Sequence, residues 1–347
     1  MAYTTIKKPS DYFNTKLYTG NGGTQSITGV GFQPDLVWLK ERSQAEAHVL
    51  MDKIRGVTKR LRCDQNSAED TLANSLTAFD SDGFSLGSAG EVNENSQTYA
   101  SWNWKANGAG SANTDGNVTS TVSVNTTSGF SIVSWSSNGA EQSIGHGLGV
   151  APKMIIMKTR GTADGWIVGH KDNGWGYYQV LNGDNAKISD DRMFSPSGGS
   201  DPTNSLWWTN STAWVSGGST NCIAYCFAEK TGFSKFGSYV SNGVSGDGTF
   251  VYTGFKPAFV IHKRTDSAGD WRSWNNKADA FNQNDKSIFP NTTASEYDTT
   301  SVGVDFLSNG IKWRQTDTTN NNPSGGTFIY LAFAEEPLIG DNPATAR

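Results

Sequence analysis

Four histidines, His48, His146, His170 and His262, and three cysteines, Cys63, Cys222 and Cys226, are the residues best suited to metal binding or nucleophilic catalysis. No two histidines stand at the helical spacing of a metal pair, and no HExxH run, phosphate loop or nucleophile elbow occurs. Cys222 and Cys226 lie four apart in a strand-like run that holds them about 13 Å apart when extended, too far to bond. Buried, reduced thiols are expected. Acid catalysis on sugars needs only two carboxylates placed across a cleft by the fold, and Asp190, Asp191, Asp270 and the Asp80/Asp82 pair are candidates. Their Gly, Ser and Asn neighbours predict turns instead, and Asp80-Ser81-Asp82-Gly83 lacks the acidic residue that would complete a calcium loop. The expectation is a protein that is not an enzyme and holds neither metal nor cofactor.

Aromatic segments offer a different chemistry. NGWGYYQV carries Trp175, Tyr177 and Tyr178, LWWTNSTAW carries Trp207, Trp208 and Trp214, and GDWRSWNN carries Trp271 and Trp274. Rings bordered by Asn, Asp and Gly suit stacking on sugars with hydrogen bonds to hydroxyls, and equally suit a protein interface. Trp175, Tyr177, Trp207, Trp208, Trp271 and Trp274 are therefore the candidate contacts for a glycan or partner. The basic run Lys53, Arg55, Lys59, Arg60 and Arg62 reads as a solvated face.

The elements that must position these residues are strands. The 347 residues include 39 Gly and 12 Trp with only 35% hydrophobic residues, and Asn, Ser and Thr crowd the gaps between short apolar runs. A net charge of −5 gives no general attraction to nucleic acid. No run of about 20 apolar residues could insert in a membrane, and the N-terminus has no signal-peptide core.

The architecture is set by a triple repeat. FQPDLVWLKER, VAPKMIIMKTR and FKPAFVIHKRT each place Lys six residues after Pro: Pro34 to Lys40, Pro152 to Lys158, Pro257 to Lys263. Arg42, Arg160 and Arg264 follow. Upstream, Tyr18, Trp135 and Tyr239 each precede an Asn-Gly by three residues. The modules close alike with TYASWNWKA, CIAYCFAEK and FIYLAFAEE, in which Tyr99, Tyr225 and Tyr330 or their alternating neighbours should share a face. The proline-led runs predict central strands buried on both faces, with the lysines emerging at the surface. FDSDGF and FLSNGI predict tight hairpins. Residues 45–61 lean towards a helix, but alignment with WIVGHKD and DWRSWNNK favours strand and turn.

The resulting division is a docking segment at 1–13, β-modules at 14–105, 125–231 and 232–338, a linker at 106–124 and a tail at 339–347. The fold class is all-β, with three diverged sandwich-like modules in tandem, either separate or around a pseudo-threefold axis.

DYFNTKLYTGNGGTQSITGVGFQPDLVWLKERS, with HVLMDKIRG and LTAFDSDGFSLG downstream, resembles a family of virion-associated proteins of marine bacteriophages. The resemblance is clearest over 11–105. It implies repeated lectin-like β-modules in a virion component of the tail fibre or particle surface, without catalytic residues to carry over. The expected function is a tail-associated structural protein acting in assembly and host glycan recognition. It would form a homo-oligomer, a trimer as tail fibres usually do, contacting other virion proteins. A capsid decoration or head-fibre protein is the alternative, and a polysaccharide depolymerase the alternative from another class.

Overall fold

The computed structural model describes residues 4–197, 199–210, 218–317, 321–341 and 343–344. Each proline-led run is a central strand: Leu36–Glu41, Met154–Thr159 and Phe255–Arg264, the first two buried along their whole length. Pro34 and Pro152 precede their strands, and Pro257 sits at a bulge, where its missing N–H costs no ladder bond. On one side the central strands pair with the closing strands Thr98–Trp104, Asn221–Phe227 and Thr327–Pro337. On the other they pair with Val49–Asp52, Ile167–His170 and Arg272–Asn275. The expected strand and turn after residue 45 is present, continuing into Lys59–Arg62.

The registers coincide residue for residue. Lys40, Lys158 and Lys263 face Ala100, Ile223 and Ile329, while Tyr18, Trp135 and Tyr239 face Tyr99, Cys222 and Phe328. One expectation slips here. Tyr225 matches Trp102 and Leu331, whereas Tyr330 matches Ser101, so the three tyrosines do not share a face; a one-residue offset in a strand reverses the side chain. A smaller sheet covers one face of each large one: Gln25–Thr28, Leu76–Asp80 and Gly83–Leu86; Gln142–Gly145 with Leu206–Thr209; and Phe250–Tyr252, Val304–Leu307 and Gly310–Trp313. Asp80-Ser81-Asp82-Gly83 is a hairpin turn whose Gly83 has φ 148°, and a Cβ there would meet the Ile27 carbonyl oxygen at 1.9 Å.

The other face of each large sheet turns to a common centre. Trp38, Trp102 and Trp104 of the first module, Phe130, Ile156, Tyr225 and Phe227 of the second, and Phe259, Ile261, Leu331 and Phe333 of the third form one apolar cluster. The modules thus close a ring around a pseudo-threefold axis. Equivalent bonds cross its seams: Trp166 Nε1 donates to the Arg62 carbonyl (2.8 Å), Trp271 Nε1 to the Val180 carbonyl (2.9 Å), and His48 Nε2 pairs with the Phe289 carbonyl (2.9 Å). Arg160 clamps Glu69 and Arg42 clamps Glu296, each through two hydrogen bonds.

Several expectations change in this ring. The linker is not one: Ser111–Asn113 and Ser120–Asn125 form an edge hairpin that extends the second large sheet to eight strands. Its polar composition reflects an edge whose ladder needs only backbone groups. The docking segment packs on its own chain, with Ile6 in the central cluster and the Lys7 carbonyl accepting from Asp341 N–H. The basic run is no solvated face. Arg55 and Asp52 pair at 2.5 Å with both side chains fully buried, and Arg60 and Arg62 pair with Asp70 and Glu91. All three cysteines are buried, and none is in a disulfide.

The three repeat lysines do not reach solvent either. Lys40 donates to the carbonyls of Glu46 and, across a seam, Thr293; Lys158 to Thr159 and Thr162; Lys263 to Asp184, Asn185 and Arg264. Their ammonium groups satisfy backbone carbonyls at the strand ends and in the loops beyond them. Burial lowers all three pKa values to about 8. The unfolded chain, with lysines near 10.4, binds more protons between these limits, so this contribution to stability rises with pH from about 8 to 10. In Lys40→Met, urea-unfolding free energies across that range should show a pH slope smaller by about one proton; an unchanged slope would contradict a buried Lys40 ammonium.

Candidate functional site

The repeat makes each module a control for the others, and one position breaks the pattern chemically. In register, Val49, Ile167 and Arg272 are equivalent, as are Leu39, Met157 and His262. Val49, Ile167, Leu39 and Met157 are aliphatic or thioether side chains in the cores between the sheets, which is what a strand facing a second sheet demands. The third module places a guanidinium and an imidazole there. Both are buried, at 7% and 2% exposure.

Arg272 and His262 line a cleft of about 390 Å³ together with Asp184, Arg264, Asp270, Asp317, Asn321 and Phe328. It opens where module three meets the Asp184 loop of module two. That seam lacks the clamp found at the other two: Glu69 and Glu296 correspond to Lys187, whose N–H donates to the Thr265 carbonyl as theirs donate to the carbonyls of Arg160 and Arg42. The arginine position is therefore Thr265, not Arg264 as the sequence alignment expected. Arg264 is displaced by one residue, which sends it to the opposite face, where it pairs with Asp266 and borders the cleft. In module one, the short helix Gly90–Asn93 lies over the corresponding end, accepting from Tyr18 and Tyr99 hydroxyls through the Val92 and Gly90 carbonyls. At the matching positions of module three, Tyr239 O–H pairs with His262 Nδ1 at 2.8 Å and Phe328 lines the cleft.

The electrostatics single out Arg272. Among the described residues every other arginine is ion-paired. The Arg272 guanidinium instead lies over the Phe289 ring at 4.5 Å, and its buried Nε and Nη1 have no hydrogen-bond partner. Burial lowers its pKa to about 10, against the pull of Asp270, Tyr297 and Asp317, so it remains charged at neutral pH. Unmet buried donors on a charged group cost about 1–3 kcal/mol or more, which an oxygen ligand would offset. Below it, His262 stacks on Trp313 (4.7 Å) and Phe328 (5.2 Å) and meets Trp274 edge-on (5.0 Å). Burial, with the nearby Arg272 and Lys263 charges, holds this imidazole well below its usual pKa, so it is a neutral wall of the cleft. Asp270 accepts from Asn291, and Asp317 from Asn321, fixing both carboxylates.

The six aromatic candidates are not brought together. Trp175 packs on Phe194, Trp207 on Trp135 and Trp274 on Trp313, and Trp271 makes its seam bond; all four are core residues and cannot stack on a ligand. Their abundance serves cores built from large rings in short strands. Of the six, only Tyr177 and Trp208 retain accessible rings, Tyr177 beneath Lys187 Nζ at 4.5 Å. Trp214 lies outside the described residues. Of the candidate carboxylates Asp270 alone lines the cleft; Asp190 pairs with Arg192, and Asp82 accepts from the N–H groups of Gly29 and Gly31. The signal for Arg272 was present in the aligned HVLMDK, WIVGHK and DWRSWNNK segments, as a charge where its counterparts are apolar. Among the described residues no group of three or more His, Cys, Asp or Glu could hold a metal, and no helix is long and apolar enough to cross a membrane.

Fold and cleft together define a single-chain, all-β pseudo-threefold ring with one differentiated module. The chain belongs to the family described as a domain of unknown function, DUF7483, whose model matches residues 8–337 and so takes in all three modules. No curated protein and no solved structure matches the chain.

Proposed function

We propose that this protein is a structural component of a bacteriophage particle, mounted on the tail as a fibre or fibre-adaptor element, where it acts in assembly and recognises host-surface glycan without cleaving it. The observation that carries the recognition role is the third-module cleft: a buried guanidinium whose Nε and Nη1 lack hydrogen-bond partners, beside fixed carboxylates and an aromatic wall, at a position its two counterparts fill with aliphatic side chains. A ring locked by a shared core and cross-seam bonds is a rigid mount for such a site. The placement on a particle is supported by the sequence resemblance over 11–105. Self-association as a trimer and contacts with other virion proteins belong to the same proposal.

Gold-labelled antibody against this chain, applied to intact particles, should decorate the tail by electron microscopy. Decoration across the capsid would favour the decoration-protein alternative, and unlabelled particles would remove the virion assignment. A depolymerase reading draws on Asp184, Asp270 and Asp317 in the cleft. It requires reducing ends to appear when host polysaccharide is incubated with the chain, and none are expected.

A further inference from the structure

We infer that the third-module cleft takes a carboxylated sugar, such as a uronic or nonulosonic acid unit, with Arg272 as the counter-charge to the carboxylate. This rests on the reading of the cleft as a glycan site and names the chemical class of its ligand.

Three observations converge on an anion of single charge. Arg272 is a fixed cation whose Nε and Nη1 lack partners, and the Phe289 ring behind it holds the guanidinium plane in place. A planar guanidinium of this kind is the side chain best matched to a carboxylate. The same cleft carries the carboxylates of Asp184, Asp270 and Asp317, against Arg264 and Arg272 as its cations, and Arg264 is already paired with Asp266. Phosphate or sulfate groups, with more charge or a tetrahedral spread of oxygens, would meet those carboxylates; a flat monoanion engages the guanidinium with least repulsion. The remaining lining suits the rest of a sugar. Asp270, Asp317 and Asn321 present acceptors and an amide for hydroxyls, and Phe328 supplies an apolar face. A cleft of about 390 Å³ lies within the range of small-molecule sites.

The pseudo-symmetry gives this inference its control. Modules one and two hold Val49 and Ile167 in the position of Arg272 and keep their cores filled, so an aliphatic residue there is compatible with the fold.

The test is saturation-transfer and titration NMR on the full chain. The probes are glucuronate, galacturonate and N-acetylneuraminate, the neutral partners glucose and galactose, and inorganic phosphate and sulfate. The expected result is binding of at least one acidic sugar about tenfold or more tighter than its neutral partner. Arg272→Leu should erase that preference while its melting curve shows a folded chain. If Arg272→Leu unfolds, Arg272→Gln, which keeps amide donors without charge, must show the same loss. Equal binding of acidic and neutral sugars, or a preference that survives in the folded Arg272 variants, overturns the carboxylate assignment and leaves the glycan reading standing. Binding of phosphate or sulfate with no acidic sugar overturns it in favour of a simple anion site. No binding of any probe overturns both readings.

Discussion

Between pH 6.5 and 4.5 the four buried histidines should withdraw stability from the folded chain, each adding up to about one proton to the slope. All four histidines are buried, at 0 to 2% exposure, and burial lowers every one: His146 and His170 to about 4, His48 and His262 well below their usual value. The hydrogen bonds at the ring nitrogens act in the same direction as burial. His48 Nδ1 accepts from Trp38 Nε1–H, His146 Nδ1 from Leu148 N–H, and His170 Nδ1 from Asp172 N–H. A proton added at any of these nitrogens would face another donor. Because the folded pKa values lie below the unfolded value of about 6.5, the unfolded chain binds more protons as pH falls, and stability present at neutrality is lost progressively below 6.5. Each such group contributes up to about 1.4 kcal/mol per pH unit once its unfolded counterpart is protonated. Burial raises Asp35, Glu41, Asp64 and Asp285, an opposing contribution. Single substitutions therefore isolate the histidine part. His146→Asn, whose amide oxygen accepts as Nδ1 does but takes no proton, should remove about one proton from the slope of urea-unfolding free energy against pH. An unchanged slope in a folded His146→Asn chain would rule out this account.

What sequence could show was the repeat, because strand burial imposes an apolar run, a proline entry and a closing aromatic that recur at fixed spacing. What it concealed was which partner each buried group finds. Lys40, Lys158 and Lys263 look like strand ends emerging into water, yet their acceptors are backbone carbonyls at the strand ends and in the loops beyond, which every residue carries and no side-chain pattern marks. The ring was hidden for the same reason. Its seam bonds join Trp166, Trp271 and His48 to backbone carbonyls more than ninety residues away in sequence. The candidate site was legible only in outline. Tryptophan density pointed to rings as ligand platforms, whereas sheet packing claimed most of them, and the informative residue was the single charge among aligned apolar positions, Arg272.

Trp104→Ala should lower the melting temperature of the whole chain as one transition rather than releasing one module. Trp104 is 3% exposed, and its ring neighbours belong to all three modules: Phe13 at 5.0 Å, which opens the first module's strand Phe13–Thr19, Phe130 and Phe227 at 6.4 Å in the second, Phe333 at 5.7 Å and Phe259 at 6.3 Å in the third. Truncating a buried tryptophan costs about 3–5 kcal/mol, transfer and cavity terms together. Spread over the unfolding entropy of a chain this long, that is a shift of about 5 °C. If the modules were independent sandwiches, the loss would fall on the first alone, and a scanning calorimeter would separate an early transition from two unchanged ones. In the ring the cavity opens where the three large sheets meet, so each sheet loses packing against the same ring. Arg55, bonded to Asp52 in its own module and to Tyr225 O–H in the next, ties the same faces together by polar contacts. A single endotherm displaced as a unit, with calorimetric and van't Hoff enthalpies agreeing, is the expected trace; an early peak confined to about a third of the enthalpy would show that the shared centre does not couple the modules.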